Sequence, residues 1–125
     1  MADTLRIGEL AARCGRSAHT IRWYEAQGLL PGVARDGGGR RVFNERHVGW
    51  LTLMDRLRRT GMSIAQMREY TRLVQRGRET LAQRRELLAA HRARVAATIA
   101  DWTEALEIVD GKVDFYFVVC RNCFV

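Results

Sequence analysis

Two thiols at the end of the chain and a crowd of guanidinium groups near its start are the side chains with chemistry to offer. Cys120 and Cys123, in FVVCRNCFV, form a CxxC close to the C-terminus. Thiolates at that spacing hold a soft metal ion or close a disulfide. A zinc site takes four ligands, and no other Cys or His stands nearby in sequence to complete one. The third cysteine, Cys14, completes an apolar helical face with Ile7, Leu10 and Ala11, and is expected in the core. An odd number of thiols without a pairing framework fits a reducing compartment, so a cytoplasmic protein is expected. No run approaches the length of a membrane span and no secretion signal opens the chain, which leaves no membrane partner to expect. The chain has no clustered acid pair, no nucleophile–His constellation and no phosphate-cradling Gly motif, so an enzyme is not expected.

The 125 residues carry a net charge of +7, unevenly placed. Residues 1–75 hold 13 Arg against 7 acids, whereas residues 76–125 hold 8 basic residues against 7 acids. The excess points to a polyanionic partner for the N-terminal half. Of the 21 basic residues only Lys112 is a lysine, and Arg is the better fork for phosphates and guanine edges.

These arginines need a scaffold. Ile7, Leu10, Ala11 and Cys14 define a first helix stopped by Gly15; Ser17 caps a second, Ala18 to Gln27, followed by Gly28. Helix, short Gly turn, helix is the outline of a DNA-reading motif. The stretch Leu29–Phe43 holds the only Pro, four Gly and three Arg, and cannot be helical. Val33–Arg35 and Arg41–Phe43 can pair around a turn at Asp36–Gly39, giving a basic wing; a plain loop is the alternative. Asn44 then starts a third helix running to Thr60, with Val48, Trp50, Leu51, Leu53, Met54 and Leu57 inward. Ser63 caps a fourth, lined by Ile64, Met67, Thr71 and Val74 and closed at Gly77.

From Thr80 no Gly or Pro intervenes before Gly111. Leu81, Leu88, Val95, Ile99, Trp102, Leu106, Val109, Val113 and Tyr116 follow one another at heptad-like steps and ask for a partner helix. A helix of about 30 residues spans about 45 Å, too long for a small domain to cover. A twofold homodimer would bury that seam and set two reading heads on one duplex. A helix folded back on its own domain is the alternative. The expected fold is therefore mainly α: a winged helix-turn-helix head with a helical corner, and a long C-terminal dimerisation helix. The expected divisions are a DNA-binding head at 1–76, a dimerisation helix at 77–114 and a tail at 115–125 that could serve as an effector segment.

Three stretches together, IGELAARCGRSAHTIRWYEAQGLLP, GGGRRVFNERH and LTLMDRLRRTGMSIAQMREY, resemble the MerR family of transcription regulators over residues 5 to about 75. The later GRETLAQRRELLAAHR is similar to the branch that includes aldehyde- and electrophile-responsive members. The resemblance implies an antiparallel coiled-coil homodimer on a pseudo-palindromic promoter with an over-long spacer. It implies distortion of that spacer for RNA polymerase, under control of an effector. Ser17, His19, Thr20, Arg22, Trp23 and Tyr24 match the family's recognition helix, and Arg40 and Arg41 its wing. Ser17 and Thr20 can bond phosphate at the helix N-terminus. Arg22 is the leading candidate for a base edge and His19 the second. Trp23 stands where Tyr is usual, with an indole N–H for phosphate, and Tyr24 is divided between core and surface. Arg40 replaces a common aromatic. Arg16, just before the recognition helix, is a further phosphate candidate or a solvated surface residue.

Dimer contacts fall on Leu88, Val95, Ile99, Trp102, Leu106, Val109 and Val113. His91 and Trp102 either border an effector pocket or pack in the coil. Metal-sensing members keep ligands in a tail, which makes Cys120 and Cys123 candidate ligands for a soft metal ion or targets of a thiol-reactive effector. Gly77–Leu81, however, lacks the Cys of divalent-metal sensors, and Arg56 occupies the place of the electrophile branch's usual sensor thiol. The alternative function is a small thiol redox or soft-metal-binding protein that uses Cys120 and Cys123.

Overall fold

A computed structural model describes residues 4–122, and the chain divides into two compact units at Leu87/Leu88. The first unit contains α1 (Ile7–Cys14), α2 (Ala18–Ala26), β1 (Ala34–Arg35), β2 (Arg41–Val42), α3 (Glu45–Arg59) and α4 (Ile64–Gln75). A single 3-10 turn, Arg78–Thr80, leads into α5 (Leu81–Asn122), most of which forms the second unit.

The expected punctuation holds. Gly15 takes φ +64° and offers its N–H to the last carbonyls of α1, a conformation that costs a residue with a Cβ. Ser17 Oγ accepts from Thr20 N at 3.1 Å and caps α2. Asn44 and Ser63 cap α3 and α4 through Arg46 N and Gln66 N. The wing forms as an antiparallel pair with Ala34 opposite Val42 and Arg35 opposite Arg41. It is shorter than expected: Val33 stays outside, and Phe43 pairs instead with Leu5, whose N–H donates to Phe43 O at 2.7 Å.

In this unit α1 packs on α2 and α3, and α3 on α4. Leu10, Leu29, Met54 and Met67 are fully buried, with Ile21, Tyr24 and Phe43 almost so. Three inward assignments need correction. Val48, Trp50 and Leu53 are only half-buried, while the polar His47 and Asp55 of the same helix are buried. Trp50 lies at the margin because its indole N–H donates to Leu29 O at 2.6 Å, and its ring stacks on Tyr70 of α4. On α4, Ile64 and Val74 are half-buried, and Tyr70 and Leu73 complete the face with Met67 and Thr71. Cys14 is half-buried rather than fully internal.

The segment 115–122, expected as a separate tail, continues α5, and Gly111 does not interrupt that helix. Leu88 and Val95 are half-buried, whereas Ile99, Trp102, Leu106, Val109 and Val113 are exposed, Trp102 to 72%. No helix among the described residues is long and apolar enough to cross a membrane.

Met54 has no exposed surface and joins α3 to the core. Met54→Ala should cost about 2–5 kcal/mol, read from urea unfolding at one fixed protein concentration; a midpoint equal to that of the parent would place the core elsewhere.

Candidate nucleic-acid interface

Helix α2 has nine residues, too few to persist alone in water. The surrounding elements hold it at both ends. At its N-terminus, Arg16 reaches the carboxylate of Asp55 on α3 at 2.5 Å. At its C-terminus, Arg68 of α4 donates from Nε to Gln27 O at 2.8 Å and from Nη2 to Gln27 Oε1 at 2.5 Å. Between these ends Ile21 and Tyr24 face the core, while His19 and Arg22 are exposed.

The wing is held against the same helix. Arg41 pairs with Glu25 of α2 at 2.7 Å, and its main-chain oxygen accepts from Arg6 at 3.4 Å. Asp36 locks the turn: its Oδ1 accepts from Gly38 N and Arg40 N, both at 3.0 Å, and its Oδ2 pairs with Arg6 at 2.5 Å. The Arg6 bond, with the backbone bonds from Arg40 and Gly38, holds the Asp36 carboxyl below the usual carboxylate range. Arg35 closes the hairpin by donating to Gly39 O at 2.7 Å. Between helix and wing lies a cleft of about 250 Å³ lined by Arg6, Arg22, Arg35, Arg40 and Arg41 together with Ile7 and Gly39. Asp36 and Glu25 pair with Arg6 and Arg41, so the five guanidinium groups leave the cleft net positive, with Arg22, Arg35 and Arg40 bearing the uncompensated charge. Arg6 and Arg35 carry no motif signal; they join this group only through the Leu5–Phe43 bridge and the hairpin register.

The other residues singled out in the sequence fall as follows. Tyr24 is 2% exposed and packs in the core. Trp23 is half-buried, packs edge-on against Tyr24 and is covered by the Arg58 guanidinium at 4.4 Å. The Ser17 hydroxyl is engaged in capping and lies 3.0 Å from Thr20 Oγ1. Arg16 is no freely solvated arginine, because Asp55 holds it and raises its pKa further. Burial pushes the Cys14 thiol up, with Arg13 opposing, so it is a poor nucleophile. His91 is buried, and burial with the Arg94 charge holds its pKa down. Cys120 is exposed on α5, and Cys123 lies outside the described residues. Among the described residues, no three His, Cys, Asp or Glu side chains gather as metal ligands would.

Comparison with known proteins also returns helix-turn-helix regulators. Residues 5–73 match the MerR HTH family regulatory protein model, and residues 48–110 match the MerR DNA-binding model. The chain belongs to the MerR family. An HTH-type transcriptional regulator of Haemophilus influenzae is 33% identical over 113 residues, covering 90% of this chain and 84% of that protein. The regulator AdhR of Bacillus subtilis is 35% identical over 91 residues, covering 73% of this chain and 65% of AdhR. The crystal structure of HiNmlR, a MerR family regulator lacking the sensor domain and bound to promoter DNA, superposes with a TM-score of 0.84 at 32% identity. That match covers 91% of this chain and 90% of HiNmlR. A MerR family regulator of Listeria monocytogenes gives 0.85 at 38% identity, over 90% and 85% of the two chains. This MerR-family chain is thus a DNA-binding transcription regulator with a winged helix-turn-helix and a long C-terminal helix. That assignment replaces the reading as a small thiol protein.

The charge cluster behind α2 has an acid-sensitive signature. Burial alone would raise the Asp55 carboxyl, but the Arg16 hydrogen bond and the charges of Arg16, Arg56 and Arg59 outweigh it and hold the pKa below its ordinary value. A depressed carboxyl adds stability above its unfolded pKa of about 3.9 and loses it as pH falls through the folded value. Asp55→Asn should therefore unfold more easily in urea at neutral pH and lose less stability on acidification below about pH 4. An acid limb parallel to that of the parent would mean that Asp55 contributes nothing to it.

Proposed function

We propose that the protein acts as a homodimer on promoter DNA, each head setting α2 in a major groove and its wing on the adjoining backbone. The observation that carries this reading is the pairing of an exposed Arg22 with a wing tied to the same helix by Arg41 and Glu25. Arg22 is a fork for a guanine edge, and His19, one turn earlier, reads beside it. Ser17 and Thr20 serve phosphates near the helix N-terminus, Trp23 offers its indole N–H to a phosphate further along α2, and Arg40 and Arg41 serve the wing's strand. Arg6 and Arg35 extend that basic face.

Dimerisation is supported by the seam on α5. Ile99, Trp102, Leu106, Val109 and Val113 are all more than half exposed in the single chain. Burying such a side chain is worth about 1.5–3 kcal/mol, so a second α5 laid antiparallel along the seam would repay the association. Leu88 and Val95 continue the seam toward the head. The two heads would then bend and untwist the spacer between them, which aligns the promoter elements for RNA polymerase. The effector reads into α5 or the segment beyond it, where the Cys120 thiol is exposed to a soft metal or a thiol-reactive compound.

Alanine at Arg22 should cost about 1–3 kcal/mol of binding to a duplex selected by the protein and relax discrimination at one base position, whereas Arg41→Ala should weaken all sequences alike. Competition titrations with selected and scrambled duplexes separate the two effects. Equal losses of affinity and equal discrimination in both variants would overturn the division between reader and wing.

A further inference from the structure

A cleft of about 430 Å³ lies between the start of α3, the end of α4 and the segment that leads from α2 into the wing. Its walls are of two kinds. Pro31, Trp50 and Val74 supply apolar surface, and Asn44, Arg46 and His47 supply polar groups. Trp50 is fixed in place, because its indole N–H donates to Leu29 O at 2.6 Å and its ring stacks on Tyr70. Small-molecule sites are typically clefts of about 300–1,000 Å³ with apolar walls and a few placed polar groups. Among the described residues no Asp or Glu lines this one.

The polar groups on offer are donors. His47 is 6% exposed, and its Nδ1 accepts from Asn44 N at 3.1 Å. An imidazole that accepts at Nδ1 carries its proton on Nε2. Among the described residues that N–H finds no partner, although the ring lines the cleft. An acceptor brought into the cleft would satisfy it. Asn44 spends its Oδ1 on Arg46 N at 2.9 Å, which leaves its amide N–H groups as donors. Arg46 is exposed, and among the described residues no carboxylate pairs with its guanidinium. Asn44 and Arg46 also stand at the N-terminus of α3, where the helix dipole favours an anion.

We propose that this cleft binds a small aromatic carboxylate, its carboxylate held by Arg46 and His47 Nε2–H and its ring against Trp50 and Val74. A guanidinium takes a carboxylate as a two-bond fork, and an indole offers an aromatic ring an offset or edge-on contact. A cationic ligand has no carboxylate to meet there. The bound acid would bridge segments that lead to both ends of the head. Pro31 and Gly32 run into β1, and Val74 and Gln75 precede Gly77, from which the chain enters α5. It would thereby act as an effector, an input separate from the one at α5; this step alone rests on the reading of the chain as a promoter-binding regulator.

The test is calorimetric titration of the intact protein with naphthoate and with its neutral analogue naphthamide. Arg46→Gln should weaken naphthoate about tenfold or more, as the loss of a hydrogen bond to a charged group does. The same variant should leave the weaker binding of the amide unchanged, which a general loss of fold would not do. In a proton–nitrogen NMR titration the indole N–H signal of Trp50 should shift while those of Trp23 and Trp102 stay. No binding of naphthoate at millimolar concentration, equal binding of acid and amide, or parent-like affinity in Arg46→Gln would each overturn the proposal. So would inorganic phosphate binding as tightly as naphthoate, which would make the cleft a plain anion site. Naphthoate should also change the affinity for a duplex enriched from a random library, and that duplex should change naphthoate affinity by the same factor. Independent binding of the two would overturn the effector step. If the parent protein enriches no duplex at all, the regulator reading fails, while the titration still decides the binding site.

Discussion

A buried carboxylate is tolerated only when cations reach it, and Asp55 has three within ion-pair distance. Arg56 and Arg59 come from the same helix, so the third partner decides the tertiary structure. Arg16 lies in the turn between α1 and α2, and its contact with Asp55 fixes where the recognition helix begins relative to α3. Removing Arg16 would leave the Asp55 carboxylate to Arg56 and Arg59 of its own helix, so what would be lost is the tie between α3 and the start of α2. The orientation of α2 is the consequence: Arg16 sets its start, Arg68 sets its end through Gln27, and Ile21 and Tyr24 set its rotation.

The wing is held by a different kind of contact. The Arg41–Glu25 pair is partly exposed on both sides, and such pairs are worth about 0–1 kcal/mol. Its value is geometric, since it fixes the spacing between the wing and α2. Asp36 does the same inside the turn by accepting two backbone N–H groups and pairing with Arg6. A short hairpin of two-residue strands would be marginal by itself. The Leu5–Phe43 bridge ties its end to the chain start and gives it a third neighbour.

Local signals in the sequence were legible where the structure depends on local chemistry. Gly15, Ser17, Asn44, Ser63 and Gly77 mark breaks because capping and positive φ are decided within a few residues. The exposed helix face with His19 and Arg22 follows from the same periodicity that buries Ile21 and Tyr24. Periodicity failed on α3, where it weighed hydrophobicity alone. His47 is buried because its Nδ1 accepts from Asn44 N and its ring meets Phe43, and Asp55 because Arg16 arrives from a distant part of the chain. Arg6 and Arg35 went unread for the same reason, since only strand pairing brings them beside Arg22. The length of α5 was underestimated because 115–125 was set apart as a tail, although nothing in 115–122 breaks a helix and Gly111 in mid-helix costs only about 1 kcal/mol relative to alanine.

The central claim is that two such heads, joined through the exposed seam of α5, read one duplex from the same face. Hydroxyl-radical footprinting of the intact protein on a duplex it enriches from a random library addresses that claim directly. The account predicts two protected blocks related by twofold symmetry, each with protection on both strands flanking one major groove. A single protected block without a symmetry mate, at protein concentrations that saturate the duplex, would contradict it.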